Sequence, residues 1–403
     1  MSWTKVKLGD IAELSNGINF DKNAYSKGVK LIGVSNFGNR FSPEYDSLEE
    51  IKEDVVRKSD LLHTGDIVFV RSNGNKELVG RCMLIDNLPE KVTYSGFCIR
   101  ARFKDTTKND PVFWTYHFKN MAFRKAMSGT AIGANIQNLS QGRLSIYEAT
   151  VPDIEDQRKI AAVLSVYDKL IENNQKQINL LEEAAQRLYK EWFVDLRFPG
   201  CEDVAVVDGV PEGWQRKQIV DVSSVLRRGI SLKYNDNAVT LVINQKCIRQ
   251  SIVDMKEARK QEKAYPEELN LCDGDTVICS TGSGSLGRVG QVFGDKENVT
   301  FDSHVTLVRA KKDFGIQLLY HTIKANQSYL MGMGKGSTNQ LELSRNVIQE
   351  LKIWIPTPRI QDKFEQLALG IHDKVKVLNG EIIRLAAARD ILLPKLMNGE
   401  IEV

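Results

Sequence analysis

The sequence predicts an α+β protein built twice over. It should contain two similar α/β domains, each followed by a long helix, with the two helices packing as an antiparallel coiled coil under pseudo-two-fold symmetry. Three observations predict this. The first is a motif that occurs twice: Pro152-Asp153-Ile154-Glu155-Asp156-Gln157-Arg158-Lys159-Ile160 is answered by Pro356-Thr357-Pro358-Arg359-Ile360-Gln361-Asp362-Lys363-Phe364, with the leading prolines and the glutamines each 204 residues apart. That separation lies far beyond the periods of about 20–50 residues that mark solenoids and propellers, so the repeated unit is a whole domain with its helix. The second is an upstream framework that repeats in the same order. Trp3 and Leu8-Gly9-Asp10-Ile11 match Trp214 and Ile219-Val220-Asp221-Val222; Gly65-Asp66-Ile67-Val68 matches Gly274-Asp275-Thr276-Val277; Val79-Gly80-Arg81 matches Leu286-Gly287-Arg288; and Tyr116-His117 matches Tyr320-His321. The third is that both copies run into long segments whose apolar residues recur at steps of three and four. Framework repeats while loop content does not, as expected of one scaffold carrying two specificities.

Composition bounds the problem. A chain of 403 residues is long enough for two or three domains with real cores. Its 42% hydrophobic and 27% charged residues are ordinary for a soluble protein. No apolar run approaches the 18 or so residues of a membrane span, and the N-terminus lacks the apolar core of a signal peptide, so a cytoplasmic protein with no membrane partner is expected. Six cysteines without any Cys-x-x-Cys pair predict reduced, mostly buried thiols. The net charge of +3 permits nucleic-acid binding through clustered basic residues without requiring it.

In chain order, residues 1–152 form the first domain. Its strands are expected at 66–70 and 97–103, from their β-branched and aromatic content, and a helix over 111–127 with Pro111 in its first turn. The first long helix lies within 153–198. From 157 to 193 there is neither proline nor glycine, and Ile160, Val163, Tyr167, Leu170, Ile178, Leu181, Ala185, Leu188 and Trp192 make a heptad-like seam. Asn174 falls in that seam, where a polar residue fixes register at some cost in stability. Residues 199–213, with Gly200, Gly209, Pro211 and Gly213, read as a linker. The second domain spans 214–356, with a helix near 317–331. The last segment, 357–403, holds a helix over 362–393 with Phe364, Leu367, Ile371, Val375, Leu378, Ile382, Leu385 and Leu392, ending near Pro394, and then a C-terminal tail.

The repeated Pro…Gln motifs, the run Glu191-Trp192-Phe193-Val194-Asp195-Leu196-Arg197-Phe198-Pro199-Gly200, Gly213-Trp214, and the terminal Leu392-Leu393-Pro394-Lys395-Leu396-Met397-Asn398-Gly399-Glu400-Ile401 are weak singly and specific together. With them the chain resembles, over nearly its whole length, the DNA-specificity subunit of type I restriction–modification systems. The resemblance implies two target-recognition domains, each reading one half of a split target on double-stranded DNA, and an antiparallel helix pair that sets the gap. It implies no catalysis and no cofactor. The partners it implies are two methyltransferase (modification) subunits and, in the full complex, restriction subunits. It does not identify the bases read.

Candidate DNA contacts follow from the loops. Gly282-Ser283-Gly284-Ser285-Leu286-Gly287 matches Gly-x-Gly-x-x-Gly after a strand, but Arg288-Val289-Gly290-Gln291-Val292-Phe293 reads as another strand, where a dinucleotide site needs a helix. A hairpin loop is therefore expected, with Ser280, Thr281, Ser283, Ser285 and Arg288 as hydrogen-bonding groups that approach DNA or simply meet solvent. The matching loop in the first copy carries Arg71, Asn73, Asn75 and Lys76, suited to guanine and adenine edges. A second loop pair offers Thr130, Asn135, Gln137 and Asn138 in one copy and Lys335, Ser337, Thr338, Asn339 and Gln340 in the other. Arg227 and Arg228 are further candidates. Lys256, Arg259, Lys260 and Lys263 would share one helix face, read as a solvated stripe or as phosphate contacts. His117 and His321, in matching helices, read as structural groups, and the five histidines lack metal-ligand spacing.

Two other classes compete. One is a methyltransferase or nuclease fused to recognition domains: an adenine methyltransferase would show Asn/Asp-Pro-Pro-Tyr/Phe, yet no two prolines are adjacent, and Pro152-Asp153 followed by Glu155 lacks the acid-x-Lys of a nuclease motif. A coiled-coil scaffold without sequence-specific DNA binding is the remaining alternative.

Overall fold

Ile67-Val68-Phe69-Val70 is an unbroken apolar run. In the computed structural model of the chain it is a fully buried strand near the middle of an antiparallel sheet, ordered Ala12–Asn16, Cys98–Phe103, Ile67–Val70, Cys82–Leu84. The structure describes residues 2–38, 40–73, 78–128, 138–282, 284–336 and 341–403. These divide into two units, residues 1–173 with 381–403, and residues 174–380.

In the first unit the sheet buries both faces, as period-two alternation requires. Ile67, Phe69, Ile99 and Ala101 share a core with Phe113, Trp114 and Phe118 of a helix, while Val68, Val70 and Cys98 pack with Ile32, Phe37 and Tyr94. Tyr94 and Ile32 belong to a second sheet, ordered Glu49–Ile51, Tyr25–Ile32, Val92–Tyr94, whose last pair is parallel. Trp3–Lys7 pairs antiparallel with Glu148–Pro152, closing the start of the domain against its end.

The second unit repeats this strand for strand. Ser223–Arg228, Val305–Ala310, Thr276–Cys279 and Val289–Gln291 follow in the same order, extended by Ile252–Val253 and Ile248–Arg249. Arg259–Lys260, Leu241–Ile243 and Val299–Phe301 rebuild the small sheet, again with a parallel last pair, and Gln215–Gln218 pairs with Lys352–Ile355. Two details repeat at atomic level. Arg102 clamps the buried Asp66 with two 2.7 Å bonds, and Arg309 clamps the buried Asp275 with two bonds of the same length. Gly17 and Gly229 cross so close to Tyr94-Ser95 and Phe301-Asp302 that a Cβ at either would collide with two backbone carbonyl oxygens. The sequence-expected mixed helix–sheet class is therefore observed.

The helices differ in detail from the sequence expectation. The segment 111–127 is two helices, Pro111–Lys119 and Met121–Ser128, because Asn120 leaves the helical region and its side-chain oxygen accepts from Ala122 N at 3.1 Å. Asn326 breaks the matching segment into Ile316–Ala325 and Gln327–Gly332. The first long helix, Ile154–Phe193, starts three residues before the expected position, capped by Asp153, whose carboxylate accepts from Asp156 N at 3.1 Å. The second, Pro358–Met397, starts at a proline that suits a first turn and does not stop at Pro394. Leu393, Leu396 and Met397 are buried in the first unit's core, and that packing outweighs the one backbone hydrogen bond a proline removes. Leu170 and Leu367, counted into the seams, are exposed; Leu164 and Ala368 hold buried positions instead.

Within the first unit, Ile160, Ala161 and Leu164 share a core with Leu393, Leu396 and Met397, and Asp168 takes both the Tyr116 hydroxyl at 2.5 Å and the Arg389 guanidinium. Within the second, Tyr189, Trp192 and Phe193 surround Phe364. Asn174 is 6% exposed, a buried polar group as its seam position predicts. All six cysteines are free, and burial pushes Cys82 and Cys247 up to about 11 and Cys98 and Cys279 to about 12, so these four are unreactive thiols.

Removing one partner of a buried ion pair strands the other. Asp66→Ala is expected to cost about 3 kcal/mol. Hydrogen exchange should show lost protection across residues 61–103 with the second unit unchanged; equal loss in both units would refute independent frameworks.

Candidate nucleic-acid interface

In each unit the framework brings together, at one end of the main sheet, the two loops singled out in the sequence. In the first, Arg71 N donates to Phe97 O and Leu139 N donates to Arg71 O, both at 2.8 Å, and Ser72 bridges to Asn138. In the second, Ser280 N donates to His304 O and Leu343 N to Ser280 O, again at 2.8 Å, and Thr281 bridges to Glu342, which is paired in turn with Lys335. Arg71 and Ser280 are thus equivalent in backbone but not in side chain. The Arg71 guanidinium donates to Gly96 O at 3.2 Å at the rim, whereas Ser280 is fully buried with its hydroxyl 2.6 Å from Thr306 Oγ1. Contrary to the sequence expectation, the Ser280 hydroxyl does not face the loop surface but is spent inside the sheet.

The remaining candidates divide by their electrostatics. Arg228 is neutralised by Glu342 and donates to Ser280 O at 3.4 Å, and Arg227 pairs with Glu268 at 3.1 Å. Arg288 donates 2.9 Å bonds to Ile248 O and Gly284 O, so it braces the glycine-rich loop it lines. That loop is a hairpin connection between antiparallel strands, as expected, and no helix follows it. Gly287, at φ 73°, lies against Met331 N, 2.6 Å from where a Cβ would sit, so only glycine fits there. Thr281 Oγ1 lies 2.6 Å from His304 Nδ1, Ser285 donates to Thr281 O at 3.1 Å, and Lys335 is exposed. Asn73 and Asn138 border the first unit's loop pair. Asn75, Lys76, Thr130, Asn135, Gln137, Ser283, Ser337, Thr338, Asn339 and Gln340 lie outside the described residues.

The basic stripe is not a helix face. Lys256 sits in the short 3-10 turn Met255–Glu257, capped by Asp254, whose carboxylate accepts from Lys256 N at 2.9 Å; Arg259–Lys260 is an edge strand. Arg259 stacks over Tyr234, 3.4 Å from the ring centroid. Strand pairing with Leu241 and Val242 overrides the helical spacing.

Sequence reasoning missed two features of this end. One is Phe97, an exposed aromatic at the turn into Cys98–Phe103; His304 holds the same place in the second unit. The other is an open cleft of about 740 Å³ in the second unit, lined by Gln245, Lys246, Arg249, Gln250, Gly282, Ser285 and Arg288. The run Asn244-Gln245-Lys246 followed by Arg249-Gln250 could have signalled it.

The histidines in the matching helices have interior partners. His117 Nε2 lies 2.8 Å from the Tyr147 hydroxyl and His321 Nδ1 lies 2.6 Å from Gln186 Nε2. Burial pushes them down to about 4 and about 3, so both are neutral near pH 7. Among the described residues no group of three or more histidine, cysteine or acidic side chains could hold a metal ion, and no helix is long and apolar enough to cross a membrane.

The family model described as the type I restriction modification DNA specificity domain matches residues 1–183 and 211–366, once in each repeat. The chain belongs to that family. It is 29% identical to the type I restriction enzyme MjaIX specificity subunit of Methanocaldococcus jannaschii over 74% of this chain and 71% of the relative. It is 24% identical to the HindI specificity subunit of Haemophilus influenzae over 99% of each, and 22% identical to the EcoKI specificity subunit of Escherichia coli K12 over 99% of this chain and 89% of the relative. The crystal structure of a type I restriction–modification S subunit from M. genitalium shares the fold at a TM-score of 0.57 and 16% identity, covering 98% of this chain and 96% of that one.

The Glu342–Arg228 pair gives the family face a test. Glu342→Gln frees one guanidinium, so binding to any duplex should strengthen and its salt dependence steepen by about one unit. Titrations at several salt concentrations read this; an unchanged slope would place Arg228 away from phosphate.

Proposed function

We propose that the chain is the DNA-specificity subunit of a type I restriction–modification complex. The carrying observation is the duplicated framework, with its twin Asp–Arg clamps, presenting two loop sets of different chemistry at the same end of each unit. Family membership supports the same reading. Each unit reads one half of a bipartite target in double-stranded DNA. Arg71, Asn73 and Asn138 contact the first half-site, and Thr281, Ser285 and Lys335 the second, to base edges or phosphate; Arg227, Arg228 and Arg288 join them by exchanging their present carboxylate and carbonyl partners for DNA. The chain carries no catalysis of its own; two modification subunits dock on it and supply methyl transfer, and restriction subunits join them in the full complex.

The recognition domains are residues 1–152 and 214–356, with the helical segments 153–198 and 357–403 and a linker at 199–213. The helices continue past the contacts seen within each unit to pair as one antiparallel coiled coil. The Asp168–Arg389 ion pair and the packing of Tyr189, Trp192 and Phe193 about Phe364 support that pairing, because rising numbers on one helix meet falling numbers on the other.

The test is exchange of residues 1–152 for the matching domain of another family member, in the complex assembled with its modification subunits. One half of the methylated motif should change and the other stay. A change in both halves would defeat the two-module reading.

The helices act as a ruler. Four residues inserted beside Asn174 lengthen one helix by about 6 Å and turn it about 40° beyond a full turn, from about 1.5 Å and 100° per residue. DNA advances about 3.4 Å and turns about 36° per base pair. Rotation calls for one added base pair and length for nearly two. Rotation decides, because a domain facing the wrong groove cannot read, while a small axial error is absorbed by tilt. The variant should methylate the same half-sites with a gap wider by about one base pair; an unchanged gap would show that the helices do not set it.

A further inference from the structure

One wall of the second unit's cleft is a hairpin that its sequence gives no reason to expect. Arg249 pairs antiparallel with Ile252 and Ile248 with Val253, so Gln250 and Ser251 are the two central residues of a tight turn. Both have positive φ, 46° and 65°. This is the conformation of a two-residue type I′ hairpin, where Asn-Gly or Gly-Gly is the usual pair, because in the left-handed region a Cβ crowds the backbone. Neither residue here is glycine.

The strained turn is held from beneath. Ser251 is buried, and its carbonyl accepts from Gln291 N at 2.8 Å. Above it, Arg249 and Gln250 are exposed on the cleft wall beside Lys246. Non-glycine residues kept in a left-handed turn point to a use for their side chains.

Charge gives a second, independent observation. Arg249 Nε donates to Lys246 O at 3.1 Å, which fixes the guanidinium, while its two terminal nitrogens meet no acceptor among the described residues. No carboxylate pairs with Arg249 or Lys246 among the described residues. Arg227 and Arg228 face carboxylates and Arg288 is committed to carbonyls. The guanidinium of Arg249 is therefore pre-positioned and unspent.

We propose that the 249–252 hairpin is a base-reading element of the second unit, in which Arg249 presents its fork to a guanine edge and Gln250 its amide to the neighbouring base in the major groove. This rests on the DNA-specificity reading above. It adds a reader that the glycine-rich loop alone does not supply, seated through Ser251 O on the strand that carries Gln291.

The experiment uses the chain assembled with its modification subunits and maps methylated positions for wild type, Arg249→Ala and Gln250→Gly. Each variant should lose discrimination at one position of the second half-site by about tenfold, the scale of one base contact, with the first half-site unchanged. Gln250→Gly should melt at or above the wild-type temperature, since glycine accepts positive φ, so its loss of discrimination cannot be ascribed to unfolding. An unchanged motif in both variants overturns the proposal. So does a loss that is uniform over all sequences with a salt slope shallower by about one unit, which is the signature of a phosphate contact. If the wild-type complex itself yields no bipartite motif, the DNA-specificity reading fails first and takes the hairpin with it.

Discussion

The constraint on which the rest depends is the bidentate clamp between a buried aspartate and an arginine, at the opposite end of the central strand from the candidate loops. Asp66 accepts from His63 N at 2.7 Å as well as from Arg102, and Arg102 reaches on to Leu61 O at 3.2 Å. Asp275 does the same with Cys272 N and Arg309, which reaches on to Glu268 O and Asn270 O. One interaction thus fixes the turn before the central strand, the start of that strand, and the register of its neighbour. Replacing such a pair by apolar residues is often neutral or stabilising, so its value here is specificity of register more than free energy. A one-residue slip of Ile67–Val70 against Cys98–Phe103 would turn both buried faces inside out.

With register fixed at one end, the other end can vary. Arg71 and Ser280 make the same backbone hydrogen bonds, yet one side chain reaches the rim and the other lies inside the sheet. Phe97 and His304 share the neighbouring turn, one bare and one held at a threonine hydroxyl. Variation extends to capping. Pro111–Lys119 is capped by its own Asp110, at 2.8 Å to Phe113 N, whereas Ile316–Ala325 has Gly315 at that position and takes Glu365 of the second long helix instead, at 2.7 Å to Leu318 N. A side chain at Gly315 would collide with that carboxylate, so the glycine and the glutamate are one device.

What was legible in the sequence was whatever repeats. The duplication, the strands at 66–70 and 97–103, the long helices and the pairing of loops across copies all come from residues whose spacing the fold must respect. The misreadings share a different cause. At Pro394 and in the 256–263 stripe tertiary packing overrides local propensity: core burial of Leu393, Leu396 and Met397 in the first case, edge-strand pairing in the second. Ser280 departs from its hydroxyl-rich neighbours because alternation along a buried strand puts such a residue inside as readily as outside.

The cleft was illegible for a sharper reason. Gln250-Ser251 carries no turn signal, because the backbone it adopts is one that most sequences avoid. The turn is held from beneath by Gln291, whose backbone N–H donates to Ser251 O at 2.8 Å from 41 positions further along the chain than Gln250. Locally this is an ordinary polar segment; a strand distant in sequence holds it in a conformation it would not choose. Such a turn is least visible in sequence where it is most constrained, since what constrains it lies elsewhere in the chain.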